Sequence, residues 1–154
     1  MASDDTAGIA VPPPLVYLGS CLIGVGLDAL WPVDFLPSFE QHLIGGILIG
    51  LSVVVAAPAA LAFRRARTPV DPRKPTAALV TEGIFALTRN PLYVGLTLLF
   101  GGIAVTIDNI WAFILVAPAV AFVDRHVIAR EERYLERKFG AAYLDYKARV
   151  RRWL

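Results

Sequence analysis

IGGILIGLSVVVAAPAALAF, residues 44–63, runs for 20 positions without a charged side chain. As a helix rising about 1.5 Å per residue it is long enough to cross the roughly 30 Å hydrocarbon core of a bilayer. Pro58 predicts a kink within it, and Gly45, Gly46 and Gly50 let a neighbouring helix come close. The segment on its N-terminal side, 32–43, contains Asp34 and Glu40 and no lysine or arginine. On its C-terminal side Arg64, Arg65, Arg67, Arg73 and Lys74 stand against Asp71 alone. Because basic residues are retained on the cytoplasmic side, this asymmetry puts the 64–74 loop inside and the 32–43 loop outside. Pro69, Pro72 and Pro75 predict an extended course for the basic loop.

The same pattern recurs along the chain. Leu15 to Trp31 is apolar except for Asp28, with Tyr17 and Trp31 placed as interfacial aromatics. Gly19, Ser20, Gly24 and Gly26 predict a face that packs on protein, and Asp28 lies near enough to the boundary to reach headgroup water. Pro12, Pro13 and Pro14 bar a helix from extending back into residues 1–11, which read as a short mobile tail. Pro91 to Ile107 is a third apolar run, Asp108 and Asn109 make a hairpin connection, and a fourth run from Ile110 to Val123 is expected to continue as helix past Asp124, Arg125 and His126. The last segment, 124–154, holds nine basic and five acidic residues and falls on the cytoplasmic side, as does the N-terminus. The fold class is therefore all-α integral membrane: about four transmembrane helices followed by a C-terminal cytoplasmic amphipathic helical segment.

Composition agrees. Hydrophobic residues make up 56% of the 154 and the mean hydropathy is +0.59, against about 45–50% apolar residues in soluble domains. A net charge of +2 leaves no electrostatic footprint for nucleic acid. Cys21 is the sole cysteine, which excludes an internal disulfide, and in an apolar segment it reads as an inert thiol. The acidic start MASDDTAG is not the basic n-region of a signal peptide. His42 and His126 fall on opposite sides with no cysteine cluster, so metal-ligand spacing is lacking. Neither of the familiar glycine-rich phosphate loops is present, nor a serine-histidine-acid set.

Chemistry concentrates in LVTEGIFALTRNPLYVG, residues 79–95. Gly83 allows an unusual turn, Arg89 and Asn90 set polar groups at an apolar boundary, and Pro91 suits the first turn of a helix because it has no N–H to leave unpaired. A helix starting there directs its free N–H groups toward Arg89 and Asn90 and favours a carboxylate or other anion. A capped membrane helix with an interfacial arginine has the same pattern. Further on, Glu131 and Glu132 lie on the helical face shared by Ile128 and Leu135, and neither has a basic residue three or four positions away. Acids on an apolar stripe need partners from elsewhere: a ligand amine or ribose diol, or else Arg89 or the basic loop.

With EERYLERKFGAAYLDYKARV after the hairpin, the 79–95 stretch resembles the C-terminal core of the isoprenylcysteine carboxyl methyltransferases and related phospholipid methyltransferase-like membrane enzymes. The resemblance spans about 77–152 and rests on Leu79, Val80, Thr81, Gly83, Arg89, Pro91, Tyr93, Gly95, Glu131, Glu132, Leu135, Phe139, Gly140, Tyr143 and Tyr146. Phe85 stands where the family has tyrosine and Asn90 where it has histidine, so no proton transfer near neutral pH is expected from position 90. The resemblance implies one methyltransferase domain over 1–154, with two spans and the basic loop in 1–76 and a cofactor-binding core in 77–154. It implies S-adenosylmethionine bound by Leu79, Val80, Gly83, Phe85, Asn90, Pro91, Leu92, Tyr93, Gly95, Glu131 and Glu132, with Arg89, Asn90 and Glu131 as candidates for catalysis. The partner would be a membrane lipid or another lipophilic acceptor, an isoprenylcysteine-like carboxylate or a phospholipid amine. A small thiol or metabolite as acceptor, a membrane reductase using NADPH, and a scaffold without catalysis are the competing readings.

Overall fold

The computed structural model describes residues 6–154, and among them there are helices and turns but no strands. Helix α1 (Pro13–Leu30) begins on the proline run, α2 spans Ser38–Arg65, α3 Pro91–Thr106 and α4 Ile110–Phe122. A π-helical segment, Val123–Ile128, carries α4 without a break into α5 (Ala129–Phe139), and α6 (Ala141–Arg149) follows after Gly140. The helix that starts at Ile110 thus runs through Asp124 to Phe139, as expected from the fourth apolar run.

Three of these helices are long and apolar enough to cross a membrane: α1, α2 and the continuous Ile110–Phe139 helix. Helix α3, at 16 residues, is a shorter apolar helix. Large apolar side chains stand outward on α1 and α2, among them Leu22, Ile23, Val53 and Val54, each about 60% exposed or more. Such faces need lipid, not water, against them.

Sequence neighbours are not always packing neighbours. Helix α3 lies against α2 along its length, α1 packs on α4 and on α3, and α3 stands between α1 and α2. The α2–α3 seam is close because a Cβ on Gly95 would come within 2.8 Å of the Ala56 methyl, and one on Gly102 within 3.0 Å of the Gly45 carbonyl. In α1 the small-residue face is narrower than expected: Gly24 meets Ala112 of α4, whereas Gly19 and Gly26 face open space. Asp28 is half-buried, with one carboxyl oxygen buried and without a hydrogen bond among the described residues.

One end of the bundle gathers the acidic connections. The Leu36 amide donates to Asp108 at 2.9 Å, and the Trp111 indole donates to the Trp31 carbonyl at 2.8 Å. The opposite end holds the basic loop, the described N-terminal residues and the C-terminal helices. Two expectations change there. Residues 6–11 do not form a free tail: Ile9 is 6% exposed in a cluster with Tyr17, Val127 and Ile128, and Arg130 donates to the Gly8 carbonyl at 3.0 Å. Residues 1–5 lie outside the described ones. The basic loop is not extended but closed, because the Thr68 hydroxyl accepts from the Ala77 amide at 2.8 Å and the Thr76 amide donates to the Tyr134 hydroxyl at 3.0 Å. Proline restricts single residues without preventing such a closure by side-chain hydrogen bonds.

Candidate active site

A cavity of about 730 Å³ opens at this second end, within the usual range for a small-molecule site. It runs between two apolar clusters. On one side stand Leu79, Val80, Phe85, Leu92, Leu135, Tyr143 and Tyr146, and on the other Tyr93 and Leu96. It extends along the α2–α3 seam to Ser52, Val53 and Ala56 on α2 and Gly95 and Leu99 on α3. Arg89, Asn90, Pro91, Glu131 and Glu132 also face it. Every residue expected at a cofactor site therefore lines one cavity except Gly83, whose φ of +64° makes the turn into the 3₁₀ segment Gly83–Ala86. Gly83 instead borders a second hollow with Pro58, Ala62 and Thr81. Its place in the motif is explained by the left-handed backbone, which glycine adopts without steric cost.

The turn before α3 is built by bonds that the sequence does not announce. The Thr88 hydroxyl accepts from the Asn90 amide at 3.2 Å and donates to the Arg152 carbonyl at 3.2 Å, while the Asn90 side-chain amide donates to the same carbonyl at 2.9 Å. The Arg89 amide donates to the Arg151 carbonyl at 3.0 Å. Asn90 thus holds the C-terminal segment and makes no side-chain cap on α3. The Asn90 carbonyl already accepts from the Tyr93 and Val94 amides, and Pro91 has none. Of the free N–H groups expected at this helix start, only that of Leu92 remains.

The two acids take different partners. Glu132, buried at 5% exposure, faces Arg89 at 2.9 Å and receives two bonds from Arg152, at 3.0 and 2.6 Å. Arg152 also pairs with Asp124 at 3.2 Å, and the Trp153 indole donates to Asp124 at 2.9 Å. Glu131 has no guanidinium partner among the described residues: it accepts from the Tyr93 hydroxyl at 2.8 Å. Of the alternatives left open for the pair, Glu132 realises the arginine partner and Glu131 does not. A carboxylate held only by a neutral hydroxyl beside a cavity retains most of its demand for a cation. Arg89 has the complementary need. Its side chain is 9% exposed, it spends one nitrogen on Glu132 and a 3.4 Å contact on the Tyr143 hydroxyl, and its buried Nε has no hydrogen-bond partner.

Around this pair the phenols are held neutral. Burial pushes the Tyr143 hydroxyl up to about 12, the negative charge of Glu132 adding to the effect, and burial also raises Tyr146, which donates to the Phe85 carbonyl at 2.7 Å. The Arg152 guanidinium is raised chiefly by its hydrogen bonds to Glu132. At the mouth, Asp71 is lowered to about 2 by its bonds from Arg73.

Sequence reasoning missed Arg152, Asp124, Trp153 and Thr88. Arg152 and Glu132 are 20 positions apart, and no local spacing links them; in the sequence Arg152 is one of several basic residues that orientation in the membrane already explains. Tyr143 and Tyr146, both in the motif, were recoverable as cavity residues from their shared face at i and i+3.

The set of groups fits S-adenosylmethionine: a guanidinium and one helix-start N–H for a carboxylate, an uncompensated carboxylate for an ammonium, and apolar walls for a purine. A sequence model of the phospholipid methyltransferase family matches residues 40–142. The chain is 28% identical over 145 residues to protein-S-isoprenylcysteine O-methyltransferase B of Arabidopsis thaliana, covering 87% of this chain and 71% of that one. It is 40% identical over 63 residues to an uncharacterized protein of Haemophilus influenzae, 41% of this chain and the whole of that one. No solved structure matches. With two thirds of its length inside the family match and its helices apolar enough for a bilayer, the chain belongs to the phospholipid methyltransferase family of membrane methyltransferases.

Proposed function

We propose that the protein transfers a methyl group from S-adenosylmethionine to a lipophilic acceptor at the cytoplasmic face of a membrane. The observation that carries this is the division of charges in the cavity: Arg89 with an unused Nε, and Glu131, next to Glu132 in the chain, with no cation among the described residues. The bound cofactor supplies a sulfonium methyl group already activated for transfer. Arg89 and the Leu92 N–H would hold its carboxylate, Glu131 and the Tyr93 hydroxyl its ammonium, and Leu79, Val80, Phe85 and Leu135 the purine. The chain then has two further tasks, to hold a nucleophile in line and to keep water out. A carboxylate or thiolate acceptor needs no base, whereas an amine must arrive neutral. Asn90 is engaged with the Arg152 carbonyl and moves no proton.

A lipophilic acceptor is supported by the depth of the site. Helix α3 rises only about 24 Å over its 16 residues, less than the roughly 30 Å of hydrocarbon. With its far end at the outer boundary of the hydrocarbon, its first turn and the cavity on it would lie inside the inner boundary. The cavity continues along the α2–α3 seam past Ser52, Ala56 and Gly95 to the exposed Val53, on an apolar face that would meet lipid. A prenylated cysteine carboxylate or a phospholipid amine reaches such a site sideways. Calorimetric titration of the purified protein with S-adenosylhomocysteine tests the cofactor; binding is expected, and none at millimolar ligand sinks the proposal. Membrane extract incubated with methyl-labelled cofactor then identifies the acceptor from the labelled product.

A further inference from the structure

The residues after 142 lie beyond the family match, yet Arg151–Trp153 bond to the turn before α3, to the π-helical segment and to α5, and so to the cavity residues Arg89, Asn90 and Glu132. Their backbone carbonyls receive the Arg89 amide, the Thr88 hydroxyl and the Asn90 side chain. Their side chains reach Asp124 on the π-helical segment and Glu132 on α5. The four charges Asp124, Glu132, Arg89 and Arg152 sum to zero. Within that set Glu132 is the most enclosed, its side chain 7% exposed, while Arg152 is 34% exposed and approaches from the outer side. Arg152 gives Glu132 two bonds in the forked geometry that only arginine supplies. Arg89 therefore needs to spend only Nη1 on that carboxylate, and its Nε stays unbonded.

We propose that Arg152 is a positioning residue: by satisfying Glu132 from outside the cavity, it keeps Arg89 available for the anionic group, a carboxylate, of a ligand inside it. Two carboxylates, that of Glu132 and that of the ligand, compete for one guanidinium. Without Arg152, the enclosed Glu132 carboxylate keeps Arg89 and a Lys147 ammonium 4.0 Å away. An underpaired buried carboxylate draws the remaining guanidinium fully onto itself. Arg89 then has fewer donors and less uncompensated charge to offer a second anion. The ligand identity rests on the function proposed above; the coupling of Arg152 to Arg89 through Glu132 does not.

The test uses the full chain and two readouts. In Arg152→Gln, affinity for S-adenosylhomocysteine is expected to fall tenfold or more by calorimetry, and modification of Arg89 by phenylglyoxal in the ligand-free protein, followed by peptide mass spectrometry, is expected to slow. In Arg152→Gln combined with Glu132→Gln the competitor is gone, so both readouts should recover most of the loss. A role of the tail in structure alone predicts no recovery. Equal affinity and labelling in Arg152→Gln and the unaltered protein would overturn the proposal, as would a double variant no better than the single one. If Arg152→Gln does not fold, Arg152→Lys, which keeps the charge and loses the fork, makes the same comparison with a smaller effect. Unaltered protein that binds no S-adenosylhomocysteine but shows the expected labelling pattern refutes the cofactor and leaves the coupling standing.

Discussion

Glu131 and Glu132 are adjacent and chemically identical, and the fold gives them opposite circumstances. Glu132 is closed in by Arg89 and Arg152, whereas Glu131 meets only the Tyr93 hydroxyl. Replacing each by glutamine should therefore give opposite results. Glu131→Gln keeps an acceptor for Tyr93 and removes only the charge offered to a ligand; cofactor binding should weaken by about 1.5–3 kcal/mol, tenfold or more, with the melting temperature of the ligand-free protein little changed. Glu132→Gln leaves two guanidinium groups without their shared anion, so the ligand-free protein itself should melt lower. Scanning calorimetry and ligand titration on the two variants separate the cases, and an unstable Glu131→Gln with unchanged affinity would overturn the assignment. Tyr143 offers a pH test. Its folded value is about 12 against an ordinary 10. Below pH 10 both folded and unfolded states keep the proton and stability is indifferent to pH. Between 10 and 12 the unfolded state releases the proton first, so stability should fall as pH rises through that window. In Tyr143→Phe the alkaline absorbance change of the phenols in the folded protein should lose its step near pH 12.

At the scale of elements, the seam between α2 and α3 limits what the site tolerates. A Cβ on Gly95 would press on Ala56 and on the Ser52 carbonyl, 3.3 Å away. Gly95→Val should force the helices apart and cost about 1–3 kcal/mol, read as a lower melting temperature in detergent. Because the Ala56 methyl is the nearest obstacle, Ala56→Gly in the Gly95→Val background should restore part of the loss. A second device is the π-helical turn at Val123–Ile128, which keeps the Ile110–Phe139 helix continuous while placing Asp124 toward the C-terminal segment and Val127 and Ile128 in the core. Widened turns of this kind are frequent at functional sites. The stripe of Ile128, Glu131, Glu132 and Leu135 could be read from spacing; the widened turn could not, because no residue pattern marks a single non-α hydrogen-bond register.

For the whole molecule, the distribution of basic residues predicts both termini and the 64–74 loop in the cytoplasm. A cysteine placed at Arg67, in a variant with Cys21 replaced, should be modified by an impermeant maleimide only after the cells are opened. Labelling from outside would reverse the orientation and, with it, the side on which the cofactor is met. What the sequence by itself determined is everything that follows from local periodicity and from boundary chemistry. A charge-free run of 20 residues has to find a non-aqueous setting, Pro91 has to stand near a helix start, and two acids on an apolar stripe have to find partners elsewhere. The resemblance carried by 79–95 and 131–146 added that these pieces share a site. Tertiary structure alone decided which partner each acid received, that α3 lies between α1 and α2, that residues 6–11 and the basic loop fold against the bundle, and that Arg152 closes the ring of charges around Glu132. The reason is physical range. Helix periodicity and membrane partition act over a few residues or on a segment as a whole, and both are written in the order of side chains. A guanidinium finding a carboxylate 20 positions away depends on where a turn and a widened helix deliver the backbone, and that is a property of the packed chain.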